Sequence, residues 1–206
     1  NRPAKRKHIT SRIIRPGAAI PDEQHWDNAT PEERINAVWE LTLLCLAGNR
    51  TKSMNQDFRD LLAEFNARQV EFLLVGAHAL AAHGHVRATQ DIDVWVRPAP
   101  ENAKRVIEAL RAFGAPLHDL TEKDLSTPGL IFQIGVEPIR IDVLTVIDGV
   151  QFAEAWADRL ISKFADQPVS VLSREHLIKN KLAAARTQDL ADVEALERKR
   201  PRQNKS

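Results

Sequence analysis

The sequence predicts an α/β fold of the α+β type, in which helices flank a small mixed β-sheet. From residue 71 onward, short apolar runs of strand length alternate with amphipathic runs of helix length. The apolar runs at 130–135 and 139–147 are joined by a connection too short for a crossover, so they should pair antiparallel within a sheet that also holds parallel strands. With 206 residues, 43% of them apolar, the chain can form one domain of ordinary size with a real core.

The first element is a helix within residues 28–48. Thr30 is placed to cap it, Pro31 occupies the first helical position, and Glu33 completes a capping box. Gly48 should end this helix, because glycine readily adopts the left-handed conformation that follows a last turn.

The remaining elements follow from changes in the period of the apolar residues and from the glycines and prolines between them. In chain order they are a linker at 48–54, a helix at 55–70, a strand at 71–76, a short helix at 77–84, a strand at 91–96, a helix at 100–114, the strand pair at 130–135 and 139–147, a helix at 151–160, a strand at 168–173, and one or two helices at 173–200.

Charge and pattern together predict three parts. Residues 1–54 form a basic tail and a helical N-terminal arm, residues 55–196 the folded domain with a C-terminal helical cap, and residues 197–206 a second basic tail. Residues 1–17 carry six basic residues and no acid, whereas residues 18–196 carry 18 basic and 27 acidic residues, a net charge of −9. Basic tails on an acidic body are typical of chains that touch nucleic acid, although solvated chain ends explain them equally well.

Composition also excludes several classes of protein. Cys45 is the only cysteine, so the chain cannot form an internal disulfide, which suits the cytoplasm. No apolar run approaches the length of a membrane-spanning helix, and the basic start lacks the apolar segment of a signal peptide. Neither the Walker phosphate-binding motif nor the serine-hydrolase elbow is present.

Two carboxylates on the strand "DIDVWV" suggest a metal site. Side chains alternate on a strand, so Asp91 and Asp93 point to one face, about 7 Å apart at roughly 3.3 Å per residue. If the strand "IRIDVLT" is its neighbour, Asp142 joins them and makes a triad suited to divalent cations. Taken alone, the pair could equally be a solvent-facing surface of the sheet.

A phosphate-binding turn is predicted about 15 residues before this strand. Gly76 ends a strand where a helix begins, so the N–H groups of Ala77 and His78 could receive a phosphate. The side chain of His78 could also contact substrate from this position, and any residue larger than glycine at position 76 should keep a phosphate away from the backbone.

The block "VGAHALAAHGHVRATQDIDVWV" and the ending "LIKNKLAAARTQDLADVEAL" resemble the DNA polymerase β-like nucleotidyltransferases, and more closely their abortive-infection (AbiEii-type) toxin family. The resemblance covers about residues 56–197 and implies the nucleotidyltransferase fold. It implies an enzyme that uses Mg²⁺, or Mn²⁺ in its place, to move a nucleoside monophosphate from an NTP to a hydroxyl. One departure is Ala77, since the superfamily usually has Gly-Ser or Gly-Gly where this chain has Gly76-Ala77.

The resemblance also implies roles for individual residues. Asp91, Asp93 and Asp142 would hold the metal, and Asp142 would help to deprotonate the acceptor hydroxyl. Ala77 and His78 are nucleotide-binding candidates through their backbone N–H groups, and the resemblance adds Gly76, Arg87, Thr89, Lys181, Arg186 and Asp189, with Asp192 beside them. A solvated helix face with paired charges is the alternative explanation for the last four.

Three functions remain open at this point. The first is a toxin of a toxin–antitoxin or phage-defence system that modifies RNA, notably the 3′ end of tRNA, or protein, and that has a cognate antitoxin protein. The second is a small-molecule nucleotidyltransferase that modifies antibiotics. The third is a catalytically weak antitoxin or binding module, which an intact carboxylate triad disfavours.

Overall fold

The computed structural model describes residues 28–45, 51–89, 91–136 and 139–198. The helices within these ranges are α1 (Pro31–Cys45), α2 (Thr51–Ala67), α3 (Gly76–Ala82), α4 (Pro100–Phe113), α5 (Glu122–Ser126), α6 (Phe152–Ala157), α7 (Arg174–Ala184) and α8 (Thr187–Arg198). The strands are β1 (Phe72–Leu74), β2 (Asp91–Val96), β3 (Ile131–Val136), β4 (Ile139–Leu144), β5 (Leu160–Phe164) and β6 (Gln167–Val171). Nearly all of both predicted basic tails lies outside the described residues.

The six strands form one mixed sheet in the order β3-β4-β2-β1-β6-β5. The pairs β2–β4 and β1–β6 run parallel, whereas β1–β2, β3–β4 and β5–β6 run antiparallel. The predicted fold class and the antiparallel pairing of the strands at 130–135 and 139–147 are thereby confirmed. None of the helices that the structure describes has the length and apolarity that a membrane crossing requires.

Strand β2 lies inside the sheet and supplies much of the core. Ile92, Val94 and Val96 are fully buried, as their apolar face predicts. The other face carries Asp91 and Asp93 on the same strand, so one short segment contributes both core and polar site. This arrangement ties the position of the carboxylates to a rigid part of the molecule.

Helix α1 has the predicted cap and packs into the same core. The N–H of Thr30 donates to the Glu33 carboxylate at 2.7 Å, and the N–H of Glu33 donates to the Thr30 hydroxyl at 3.2 Å. Ile35 is fully buried, and Asn36 accepts a hydrogen bond of 3.2 Å from the N–H of Ala165. Gly48 lies outside the described residues.

Four elements differ from the sequence-based expectations, namely α2, α5, α6 and β5. The described part of the expected linker, 51–54, is helical, because α2 begins at Thr51. The predicted helix over 151–160 ends at Ala157, and the chain then forms β5, which was not predicted. Strands β5 and β6 are joined at Ala165 and Asp166, which both adopt positive φ (48° and 65°) without the Asn-Gly or Asp-Gly sequence that usually signals such a hairpin. The short helix α5 was not predicted either.

Candidate active site

The three predicted metal-binding carboxylates meet on one face of the sheet. Strands β2 and β4 are parallel neighbours whose register places Asp93 opposite Asp142 and Asp91 opposite Arg140. Each aspartate offers a carboxylate oxygen within 4.8 Å of those of the other two. The predicted convergence of Asp91, Asp93 and Asp142 is confirmed, whereas their catalytic roles remain predictions.

Asp93 is the most perturbed member of this triad. Burial, followed by the negative charges of Asp91 and Asp142, raises its pKa to about 7, although Lys181 and Arg140 partly oppose the shift. Crowded carboxylate oxygens are the ligands that Mg²⁺ prefers, and a divalent cation would relieve their repulsion. The residues present therefore fit a divalent cation held by Asp91, Asp93 and Asp142.

Gly76 makes room for the Asp93 side chain. At φ +60° it adopts a conformation that L-residues rarely take, and a Cβ atom built there would lie 2.0 Å from Oδ2 of Asp93. The preceding N–H, that of Val75, donates to the Asp93 carbonyl at 3.0 Å, which holds the two segments together. The sequence suggested that glycine is needed for phosphate approach, and the structure adds a second reason, which is close contact with the Asp93 carboxylate.

We expect Gly76→Ala to displace the Asp93 carboxylate and to lower nucleotidyl transfer by about 10²-fold, since a shift of about 1 Å at a reacting centre has this effect. Gly114→Ala is the matched control, because Gly114 also has a positive φ (+87°), but a Cβ atom at that position would meet nothing within 4 Å. Both variants should lose about 1–2 kcal/mol of stability from backbone strain. Transfer rates and thermal melts check this, and equal activity of the two variants would contradict the proposed contact.

The segment between α3 and β2 contacts the triad and the C-terminal helices. The hydroxyl of Thr89 donates to the Asp91 carboxylate, so Thr89 orients a member of the triad in this structure. Arg87 approaches Asp192, with 3.5 Å between Nε and Oδ1, and His85 approaches the same oxygen at 3.6 Å. This segment is thereby linked to α8.

Lys181 of α7 is buried in a cluster of charges that it forms with two aspartates of α8. Its Nζ lies 2.8 Å from Oδ1 of Asp189 and 2.8 Å from Oδ2 of Asp192. Lys181 is 5% exposed and Asp192 is fully buried. Burial alone would raise the pKa of Asp192, but contacts with His85 and Lys181 and the charge of Arg87 hold it well below its usual range.

Two of the predicted nucleotide-binding side chains, His78 and Arg186, differ sharply in their exposure to solvent. His78 is 2% exposed and packs edge-on against Phe164, with ring centroids 5.2 Å apart. Burial lowers the pKa of His78 to about 4, so its imidazole is neutral at pH 7, and a contact between this side chain and substrate stays a prediction. Arg186 is 79% exposed and lies 3.8 Å from Asp189, three residues further along the chain, which is the pairing that the alternative explanation predicted.

Sequence reasoning assigned no role to two polar residues that contact the triad. Arg140 lies between Asp91 and Asp142, and the side-chain amide of Gln133 donates to Asp142 at 3.3 Å. The signal present in the sequence was strand alternation, which places Arg140 on the same face as Asp142. It could not show that the guanidinium also reaches the neighbouring strand.

Several solved structures resemble this fold at a distance. They are the antibiotic-resistance factor ANT(2'')-Ia (17% identity, TM-score 0.49, 70% of this chain and 83% of that one), the lincosamide antibiotic adenylyltransferase LnuA bound to lincomycin (15%, 0.45, 69% and 95%), and a provisionally assigned nucleotidyltransferase from Thermotoga maritima (11%, 0.49, 74% and 97%). Likenesses this distant say nothing about the substrate of this chain. No curated protein matches the sequence.

A family model supplies the decisive comparison. The family described as "nucleotidyltransferase of unknown function (DUF6036)" matches residues 50–197, which include all three carboxylates and both C-terminal helices α7 and α8 through Glu197. This match agrees with the broader resemblance to nucleotidyltransferases but does not single out the abortive-infection branch. The chain belongs to this family of nucleotidyltransferases.

Proposed function

We propose that this nucleotidyltransferase uses Mg²⁺ to move a nucleoside monophosphate from an NTP to a hydroxyl group. The acceptor oxygen bonds to the α-phosphorus, the bond from that phosphorus to the bridging oxygen of the β-phosphate breaks, and pyrophosphate leaves with the electron pair. The observation that carries the proposal is the convergence of Asp91, Asp93 and Asp142 within 4.8 Å on two neighbouring strands.

Each predicted site residue has a separate role in the proposed reaction. Asp91, Asp93 and Asp142 would hold the metal, and the bound metal would neutralise charge on the phosphates. Asp142 would take the proton of the attacking hydroxyl. Arg87 and Lys181, which both contact Asp192, would supply positive charge toward the phosphates, while Thr89 keeps Asp91 in place.

The N-terminus of α3 is the proposed site of phosphate contact. Its first intrahelical bond joins the Ala79 N–H to the Val75 carbonyl at 3.3 Å, so the preceding N–H groups of Gly76, Ala77 and His78 lie at the helix end beside Asp93. Ala77 lacks the hydroxyl of the usual serine but keeps its N–H. In this proposal only the backbone of His78 takes part.

For the acceptor we propose RNA, with the 3′ end of tRNA as the first candidate. Support comes from the charge distribution, since basic segments at 1–17 and 197–206 flank a body of net charge −9 and would attract a phosphate backbone. An RNA acceptor fits the resemblance to the abortive-infection toxins, so the proposal includes a toxin role and a cognate antitoxin protein.

The test is incubation with each α-³²P-labelled NTP, Mg²⁺ and total RNA, in parallel with a protein extract and with lincosamide or aminoglycoside antibiotics. We expect ribonuclease-sensitive label in the RNA fraction and none with an Asp142→Asn control. Label on an antibiotic or on protein would overturn the RNA acceptor but keep the transferase proposal. Label that persists in Asp142→Asn, or no transfer to any acceptor, would count against the mechanism itself.

A further inference from the structure

Arg140 forms a bridge between two of the metal-binding carboxylates. Its Nε lies 3.0 Å from Oδ1 and 3.3 Å from Oδ2 of Asp142, and its Nη2 lies 3.5 Å from Oδ2 of Asp91. The register of β2 and β4 explains this geometry, because Arg140 stands opposite Asp91 and two residues before Asp142 on the same face. One side chain thus contacts carboxylates on both strands.

The Arg140 guanidinium contacts carboxylate oxygens that a bound metal would also need as ligands. Both oxygens of Asp142 and one of Asp91 face Arg140, and a carboxylate has a limited number of lone pairs to share. A divalent cation placed among the three carboxylates would also stand near the positive charge of Arg140 and be repelled by it. Arginine and metal therefore compete for the triad.

A bound triphosphate would reduce the competition between Arg140 and the metal for the three carboxylates. The planar fork of arginine fits phosphate as well as carboxylate, so phosphate oxygens can replace the contacts that Arg140 gives up. About a third of the Arg140 side chain is exposed (32%), so a change of partner does not require unpacking the core. The metal gains ligands from the same phosphates.

We propose that Arg140 is the internal counter-ion of the triad, which weakens the binding of a free divalent cation and transfers to the triphosphate when metal and NTP arrive together. This inference rests on the proposed function. Its consequence is that metal and nucleotide bind cooperatively, with little metal held by the protein alone.

The test measures Mn²⁺ binding by calorimetry, with and without a non-hydrolysable α,β-methylene NTP. Without nucleotide, Arg140→Gln should bind Mn²⁺ about tenfold more tightly than the wild type or better, since a like charge has been removed at close range. The factor by which nucleotide tightens Mn²⁺ binding should fall by a similar amount. The metal-free variant should also melt at a lower temperature, because the carboxylates then repel without a counter-ion.

Arg97→Gln is the matched control, because Arg97 follows the same strand β2 and pairs with Glu71 at 2.8 Å, away from the triad. Its Mn²⁺ affinity should equal that of the wild type. If Arg140→Gln does not fold, Arg140→Lys takes its place and should still bind Mn²⁺ more tightly than the wild type, because a single ammonium cannot bridge the carboxylates as the fork does.

Unchanged or weaker Mn²⁺ binding by the Arg140 variant would overturn the inference and leave the proposed transferase intact. If the wild type binds no Mn²⁺ even with nucleotide present, the metal site of the proposed function fails as well. The two failures are thereby distinguished by the wild-type titration alone.

Discussion

Replacing Asp93 with asparagine is expected to abolish nucleotidyl transfer while making the metal-free protein more stable. An amide cannot supply the negative charge that a divalent cation requires, so we expect a loss of activity of at least about 10³-fold. The same change removes the carboxyl whose burial, followed by the negative charges of Asp91 and Asp142, raises its pKa to about 7. Parallel transfer assays and thermal melts with and without Mg²⁺ measure both effects.

The raised pKa of Asp93 also predicts how the stability of the metal-free protein changes with pH. A carboxyl whose pKa is higher in the folded protein than its ordinary 3.8 destabilises the folded state as the pH rises from about 4 to about 7. The metal-free wild type should therefore lose stability over this window, by at most about 4 kcal/mol, and Asp93→Asn should lose less. Added Mg²⁺ should restore stability to the wild type above pH 7 but have a smaller effect on the variant.

Asp119→Asn provides the control, since Asp119 is an exposed aspartate in the loop between α4 and α5. It should match the wild type in activity, in melting temperature and in response to Mg²⁺. An Asp93→Asn protein that still transfers nucleotide and melts well below the metal-free wild type would show that Asp93 is a structural residue whose hydrogen-bond partners have been left unpaired.

Removal of the Asp192 carboxylate should destabilise the protein by about 1–3 kcal/mol, the usual cost of removing a buried hydrogen-bond partner that several groups share. Asp192 is fully buried and contacts Lys181 of the preceding helix and His85 and Arg87 of the segment between α3 and β2. In Asp192→Ala, Lys181 keeps Asp189, but Arg87 loses this carboxylate. We therefore expect transfer activity to fall together with stability, as measured by chemical denaturation and by the labelled-NTP assay.

Acid titration and a double variant test the same network. The lowered pKa of Asp192 contributes stability that is present above about pH 4 and is lost as the pH falls, so Asp192→Ala should show a smaller loss in acid than the wild type. In a double variant, Lys181→Met and Asp192→Leu together replace the buried ion pair with apolar side chains. This double variant should recover much of the stability that Asp192→Ala loses, but not its activity. Asp189→Ala is the control, since Lys181 then retains Asp192. A cost below about 1 kcal/mol for Asp192→Ala would contradict the buried network.

The elements that could be predicted from the sequence depend on contacts between residues close together in the chain. Thr30 and Glu33 cap α1 through contacts only three residues apart, and Gly114 ends α4 in the left-handed conformation. The hairpin at Ala165 and Asp166 escaped prediction because its positive φ angles are imposed by the pairing of β5 with β6 and not by its own residues. Similarly, the burial of His78 against Phe164 depends on a strand far along the chain.

By itself, the sequence determined that Asp91 and Asp93 share one face of a strand, because successive side chains alternate on any strand whatever surrounds it. It also identified Asp142 as a candidate third ligand. Only the tertiary structure decided that β2 lies beside β4, that Arg140 bridges the carboxylates, and that Asp192 holds Lys181 and Arg87. The physical reason is that pairing, burial and local charge are properties of segments brought together by folding, whereas side-chain direction and capping are properties of the local backbone.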